Sequence, residues 1–493
     1  MTRNHIRVAI VGTGFSGLGM AIRLRETGIP FVVFERSSDV GGTWRDNTYP
    51  GCQCDVPSHL YSFSFAPNPE WSRTYSPQPE IWAYLRDCVD RYSIGPHILF
   101  DHEVIDAGWD EDEGVWRLDT TGGSWTADVL ISGNGGLSEP AIPRLPGLES
   151  FEGTYFHSAA WDHSHDLSGR KVAVIGTGAS AIQFIPRIQP VVESVHVFQR
   201  TPAWVLPHTD RPTTETERRL YRRFPMLQKA VRAAIYGARE ILVLGLAKNT
   251  RLLRPLELIA RRHLRNQVPD RELRRKLIPR FAPGCKRLLL SNDYLPTLLR
   301  PNVELVTEGI EEVGPRSIVT ADGTEREIDT IIFGTGFRVT DNPVMDKLRG
   351  SDGRSLAKVW ADGGMRAYLG TSVAGFPNLF LLTGPNTGIG HTSLLVMIEA
   401  QIRYVMDCLR LMEHRDIARV EVKPDVLAAF NDELQDKTGP TVWSSGGCSS
   451  WYLDADGRNA TLWPDFTWKF KLRTRRFDEN DYVLTPAKPS GSG

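Results

Sequence analysis

The sequence predicts an α/β chain with two parallel-sheet units, the second of which carries a helical insertion. Three observations predict it. Residues 6–12, IRVAIVG, form a β-branched apolar run closed by glycine, as a strand buried on both faces does. A helical stretch, LGMAIRLRETG, follows with Gly28 as its C-terminal cap, and then the apolar strand FVVFE. The same order recurs at 171–200: KVAVIG, a glycine turn, a helix to about Ile188, and VHVFQR. The third observation is a change of texture. Residues 209–280 are Arg-rich and Gly-poor with helical apolar spacing, which reads as an insertion of helices. Its basic face reads first as solvated surface, with a membrane-surface role as the alternative.

Between the two units, residues 95–130 read as a small β meander ending in ADVLISG. Pro140, Pro143 and Pro146 punctuate the crossover to the second unit. The expected division is 1–143 with 375–493, 144–208 with 281–374, and the insertion at 209–280. The tail after Pro486, AKPSGSG, has the composition of a disordered terminus.

Composition narrows the class. The 493 residues balance 58 Lys and Arg against 59 Asp and Glu, so a general affinity for nucleic acid is not expected. Six cysteines, Cys52, Cys54, Cys88, Cys285, Cys408 and Cys448, form no CxxC pair and have no His partners at zinc spacing. Neither a structural metal nor a disulfide scaffold is expected. The N-terminus runs straight into a strand without a signal-peptide pattern, and no run of about 18 apolar residues predicts a membrane span. These features point to the cytoplasm and leave monomer and homodimer open.

Gly12, Gly14 and Gly17 stand in GTGFSG between strand and helix. Glycine is needed three times there: for the tight turn, for backbone approach to a pyrophosphate, and for helix packing on strand. Glu35 ends the second strand, in place to accept hydrogen bonds from a ribose. Together they make Rossmann-like dinucleotide binding the expected role. The second loop, GTGASA, has Gly176, Gly178 and Ala181, with Ser180 joining the expected cofactor-binding set. Here the strand ends in Arg200 and Thr201 instead of an acid. A guanidinium forks onto a 2′-phosphate that a carboxylate would repel. The second site is therefore assigned to NADPH and the first to FAD, with Arg200 as a plain surface charge the other reading.

Further motifs carry a family resemblance. Phe151, Gly153, His157, Trp161 and Asp162 in FEGTYFHSAAWD resemble the FxGxxxHxxxW(P/D) fingerprint of type I Baeyer–Villiger monooxygenases, class B flavoproteins. GGTWRDNTYPGCQCD is similar to that family's GGxWxxxxYPGxxxD segment and places Trp44 and Asp55. DTIIFGTGF is similar to its inter-domain link, with Gly334 where Ala is usual. FAPGCKRLLLSNDYLPTL holds Lys286 and Arg287, the pair the family places at its active site. TGPNTGIGHTSLLVMIEAQ looks like the return to the FAD domain. Trp451, in SGGCSSWYL, is similar in place to a tryptophan near the nicotinamide, and a purely structural Trp is the other reading.

The resemblance implies a FAD- and NADPH-dependent monooxygenase that converts ketones to esters or lactones with O2 through a C4a-peroxyflavin. It implies Arg287 as a permanent cation beside the reacting oxygen and Asp55 as the carboxylate that positions it. Lys286 would join Arg200 and Thr201 on the 2′-phosphate. Surface placement of Lys286 and Arg287 is the competing reading. His157 is either a buried, hydrogen-bonded histidine or a residue coupling the two domains; Trp161 is first a packing residue. His391 either touches the flavin or caps a helix. Two rival functions stand beside the ketone reading. One is an N- or S-oxygenating flavin monooxygenase. The other is a flavin disulfide reductase, which needs a dithiol that Cys52-x-Cys54 is poorly spaced to supply.

Overall fold

The computed structural model describes residues 4–454 and 456–487; the end of the tail, from residue 488, lies outside them. Strand Asn4–Val11 runs parallel to Phe31–Phe34 on one side and to Gly123–Ser132 on the other. Helix Phe15–Thr27 connects the first two and stops where Gly28 adopts φ +76°, the left-handed conformation of a C-terminal cap. The apolar runs follow from burial on both sheet faces. Val8, Ile10, Val129 and Ile131 pack against helix Leu394–His414, while Ala9 and Leu130 face a second cluster with Trp116 and Phe376. The expected meander is present as Val104–Asp110, Val115–Thr120 and Gly123–Ser132, all antiparallel.

A second sheet holds five parallel strands in the order Val303–Val306, Ser194–Phe198, Lys171–Ile175, Thr330–Phe333 and Thr154–His157. Helix Ala181–Ile188 covers it through Ile182, Phe184, Ile185 and Ile188. The first sheet is rejoined earlier than the sequence suggested. Leu379–Leu381 pairs with Gly123–Ser132, but Leu348–Arg349 already pairs with Val104–Asp110. Leu348, Leu356, Trp360 and Val373 share one apolar cluster with Trp116, so residues 348–374 pack with the first unit and not the second. A two-residue strand carries too little periodicity to be read from sequence.

Residues 209–280 are helical, with helices at Glu215–Arg223, Pro225–Glu240, Arg254–Gln267 and Arg271–Lys276. Thr214 and Glu217 form a reciprocal capping box that starts the first of these. At the mouth of the insertion Val205–Leu206 pairs in parallel with Leu289–Leu290, so the chain leaves and re-enters at one point. Among the described residues no helix is long and apolar enough to cross a membrane.

One expectation fails. Cys285 and Cys448, 163 residues apart, form a disulfide with their Cα atoms 6.1 Å apart. They meet because their segments pack around Trp204, Phe281 and Trp443, a long-range consequence that cysteine spacing does not reveal. Cys52, Cys54, Cys88 and Cys408 are free and buried, and burial pushes the Cys52 thiol up to about 12 and that of Cys88 to about 11.

Candidate active site

The loop Tyr49–Asp55 leaves the first unit and lies against the second. Tyr49 donates to Gln183 Oε1 at 3.0 Å, and Gln183 Nε2 donates back to the Gln53 carbonyl at 3.0 Å. Trp44, just before the loop, donates through Nε1 to the Tyr61 hydroxyl at 3.0 Å and packs against both main apolar clusters. Asp55 ends the loop and receives a two-pronged contact from Arg287, with Nε at 2.5 Å from Oδ2 and Nη2 at 2.6 Å from Oδ1. These residues are 232 positions apart, so the ion pair bridges the two units.

Its electrostatics follow from its surroundings. The Asp55 charge, acting against the desolvation of burial, raises Arg287 above the ordinary arginine range. For Asp55, burial pushes the carboxyl up, but Arg287, with help from Arg239, outweighs it and holds the group below its ordinary value. Tyr452 is buried beside the pair, and burial raises its hydroxyl above the usual tyrosine range. Trp451, which the sequence singled out, is half-exposed and packs edge-on against Tyr452, with ring centroids 4.5 Å apart.

Each of the two glycine loops joins a strand to a helix. At Gly17 a Cβ would lie 1.9 Å from the Gly12 carbonyl oxygen, so helix and strand touch only because that carbon is missing. Gly176 sits at φ +106°, and a Cβ there would come within 2.5 Å of the Gly334 oxygen. Gly14 and Gly178 lie in the same two turns. At the third position of the second loop, Ala181 carries the methyl group and its neighbour Gly334 lacks one; a Cβ on Gly334 would be 3.1 Å from Ala181 Cβ.

Glu35 is buried at the end of its strand and already knots the site together. Its oxygens accept from Thr13 N at 2.9 Å, Thr13 Oγ1 at 2.5 Å, Ser37 N at 3.0 Å and Arg45 Nη1 at 2.9 Å. In the second unit Arg200 is exposed at its strand end and Thr201 is half-buried beside it. Burial and the Arg200 charge both lower Lys286, which places the two cations in each other's field. Neither has a carboxylate partner among the described residues. Ser180 directly precedes helix Ala181–Ile188.

His157 is buried; its Nδ1 accepts from Ala159 N at 3.1 Å, its ring meets Phe337 edge-on at 5.7 Å, and burial lowers it to about 4. Trp161 packs on Phe156 and Phe184, at 5.1 and 5.3 Å between centroids. His391 does not cap the helix: Ser393 does so by accepting from Leu395 N at 3.3 Å. Instead His391 Nε2 lies 3.0 Å from Glu240 Oε1, and Thr467 donates to the same carboxylate.

Residues 5–241 match the family model for flavin-binding monooxygenase-like proteins. The chain is 52% identical to a Baeyer–Villiger monooxygenase of Pseudomonas aeruginosa over 98% of its own length and 92% of that protein. It is 50% identical to a Baeyer–Villiger monooxygenase of Streptomyces coelicolor, covering 98% and 93% of the two chains. The chain belongs to the Baeyer–Villiger monooxygenases.

Solved structures agree with this membership. Cyclohexanone monooxygenase from Rhodococcus sp. Phi1 bound to NADP+ superposes with a TM-score of 0.88 at 28% identity, over 99% of this chain and 100% of that one. Oxidized steroid monooxygenase bound to NADP gives 0.86 at 30% identity, over 98% and 100%.

The residues of this Baeyer–Villiger monooxygenase fit both dinucleotides. The glycine turns let backbone approach two pyrophosphates, and the cations Lys286 and Arg200, close enough to feel each other's charge, suit a phosphate dianion. Four donors fill the acceptor positions of Glu35, so a ribose hydroxyl reaches it in place of one of them. Arg45, the only charged donor of the four, is itself held by Asp46 Oδ1 at 2.7 Å and by the Asp39 carbonyl at 2.7 Å.

Sequence reasoning missed Tyr452, Arg239 and the Glu240–His391 contact. Tyr452 is buried where its neighbour Trp451 is half-exposed, and Arg239 shares its helix with the basic residues Lys229 and Arg232. No local signal distinguishes either.

Proposed function

We propose that the chain converts ketones to esters or lactones with NADPH and O2, and that Arg287, oriented by Asp55, is the fixed cation at the reacting centre. The two-pronged Asp55–Arg287 pair carries this reading. When bound, FAD supplies the two-electron redox chemistry and the reaction with O2 that no side chain provides.

The protein's part is electrostatic. Ketone oxidation of this kind places negative charge on oxygen, and a charge held in a water-poor site stabilises it without reorganisation. Arginine suits that task because it stays protonated, the more so with Asp55 against it. Asp55 fixes the plane of the guanidinium through Nε and Nη2, leaving Nη1 out of the pair. Tyr452 keeps its proton at working pH and remains a hydrogen-bond donor beside the pair. Lys286, Arg200 and Thr201 would take the 2′-phosphate of NADPH, with Gly176, Gly178 and Ser180 against its pyrophosphate. Gly12, Gly14, Gly17, Glu35 and Trp44 would serve FAD in the same way. The division into FAD, NADPH and helical parts, and a cytoplasmic location, belong to the same proposal.

Arg287→Ala tests it. Flavin reduction by NADPH, followed by stopped-flow absorbance, is expected at near the parent rate. Ester formation, followed by gas chromatography, should fall at least about a hundredfold. Retained ketone oxidation would remove Arg287 from this role.

A further inference from the structure

The helical insertion is charged unlike the rest of the molecule. Residues 209–280 carry 19 Lys and Arg against 7 Asp and Glu, whereas the remaining residues carry 39 against 52. Within it, residues 241–265 have an outer face that is both cationic and apolar. Arg254, Leu258, Arg262 and Arg265 follow at spacings of three and four along helix Arg254–Gln267, which puts them on one stripe. Leu258 is 67% exposed, and Leu252 and Ile259 stand exposed on its flank. Ile241, 64% exposed, and Leu244 lead into the turn Leu244–Lys248, which packs on Thr250–Leu253 at the start of that helix. Arg251, Arg254, Arg262 and Arg265 are exposed and have no acidic partner among the described residues; the nearby Glu257 is taken by Arg261 at 2.8 Å.

A merely solvated face has no use for five exposed large aliphatic side chains, and a nucleic acid would gain nothing from them. We propose that this face lies on an anionic lipid surface. The aliphatic side chains would enter the boundary between headgroups and acyl chains while the unpaired guanidiniums fork onto phosphates. The helix would rest on the membrane without spanning it, in keeping with its 14 residues. Placement gives the contact a purpose. The inner side of the same segment, Leu246, Leu253 and Ala260, packs in one cluster with Cys285 and Tyr452, directly behind the Arg287 site. A lipophilic ketone dissolved in the bilayer would then be delivered from the side on which the insertion closes the site.

The test uses the FAD-loaded enzyme and vesicles, scored by co-sedimentation, and needs no turnover, so its result is independent of the proposed reaction. Binding is expected to vesicles of mixed phosphatidylglycerol and phosphatidylcholine, weakened by added salt, and not to phosphatidylcholine alone. Replacing Arg262 or Arg265 by Gln should weaken it about fivefold each. The double variant Leu258→Ser, Ile259→Ser should weaken it at least about tenfold, with flavin absorbance and melting temperature unchanged because both side chains are on the surface. Equal sedimentation with neutral and anionic vesicles, or none with either, overturns the proposal. So does a double variant that binds as well as the parent, since charge alone would then explain adsorption. A dimer on size exclusion that the double variant splits would make the face a contact between copies and likewise overturn it.

Discussion

Gly334→Ala isolates a single exchanged methyl group. At the parent position a Cβ would stand 3.1 Å from Ala181 Cβ. Carbon atoms of this kind rest at roughly 3.5–4.0 Å, so the strand end and the helix start must part by several tenths of an ångström. The Gly334 amide is bonded to the Ile175 carbonyl at 2.9 Å, which leaves the strand little freedom to yield. Overpacking of this order costs about 2 kcal/mol. In a unit of a few hundred residues that lowers the melting temperature by about 4–8 °C. Ala181→Gly alone should cost about 1 kcal/mol through helix propensity. Combined, the two changes should not add: with the opposing methyl removed, the double variant keeps only the cost of the helix glycine. A favourable coupling of about 2 kcal/mol is therefore expected from the cycle. Calorimetry of the four proteins measures it, with the NADPH Michaelis constant as a check that the second nucleotide loop has followed the strand. Strictly additive losses would refute the steric reasoning.

Other outcomes are as direct. Burial holds His157 at about 4 and His59 at about 4, against about 6.5 in an unfolded chain, so neither costs stability above pH 6.5. As pH falls from 6.5 towards 4 the unfolded chain takes up protons that the native rings refuse, and each ring removes up to roughly 3 kcal/mol. His157→Gln should make that acid limb of a melting-temperature profile measurably shallower; an unaltered slope would rule the assignment out. Lys286→Ala should raise the Michaelis constant for NADPH at least about tenfold and leave that for NADH nearly fixed, and equal effects would argue against phosphate binding. Denatured without reductant, the protein should titrate four thiols of its six, the pair Cys285 and Cys448 appearing only after reduction. Glu240→Gln should cost about 2 kcal/mol and expose helix Pro225–Glu240 to protease, because its carboxylate accepts from Thr467 and contacts buried His391. Unchanged proteolysis would show that this contact does not hold the helix.

What could be read from sequence is what local chemistry dictates. The glycine turns, the acid at the end of the second strand and the change from Glu35 to Arg200 each follow from a pattern contained within one β-α-β unit. Asp55 and Arg287 came from resemblance, and their contact across 232 residues needed the folded chain. The disulfide and the Glu240–His391 contact were invisible for the same reason: their partners are distant in sequence and carry no periodic pattern. The early return at Leu348 rests on two paired residues, less than any window of hydrophobicity resolves. Trp451 was named from resemblance, and Tyr452 beside it was missed because the direction a side chain faces in a loop leaves no mark in the sequence.

The short parallel clamp of Val205–Leu206 on Leu289–Leu290 makes the intervening helices a cassette. Both ends are anchored within a few residues of each other, and the downstream anchor begins two positions after Arg287. The cassette is nevertheless not detachable: Arg239 within it acts on Asp55, and Glu240 reaches His391 and Thr467. Any exchange of residues 209–280 between relatives therefore has to carry those two side chains with it.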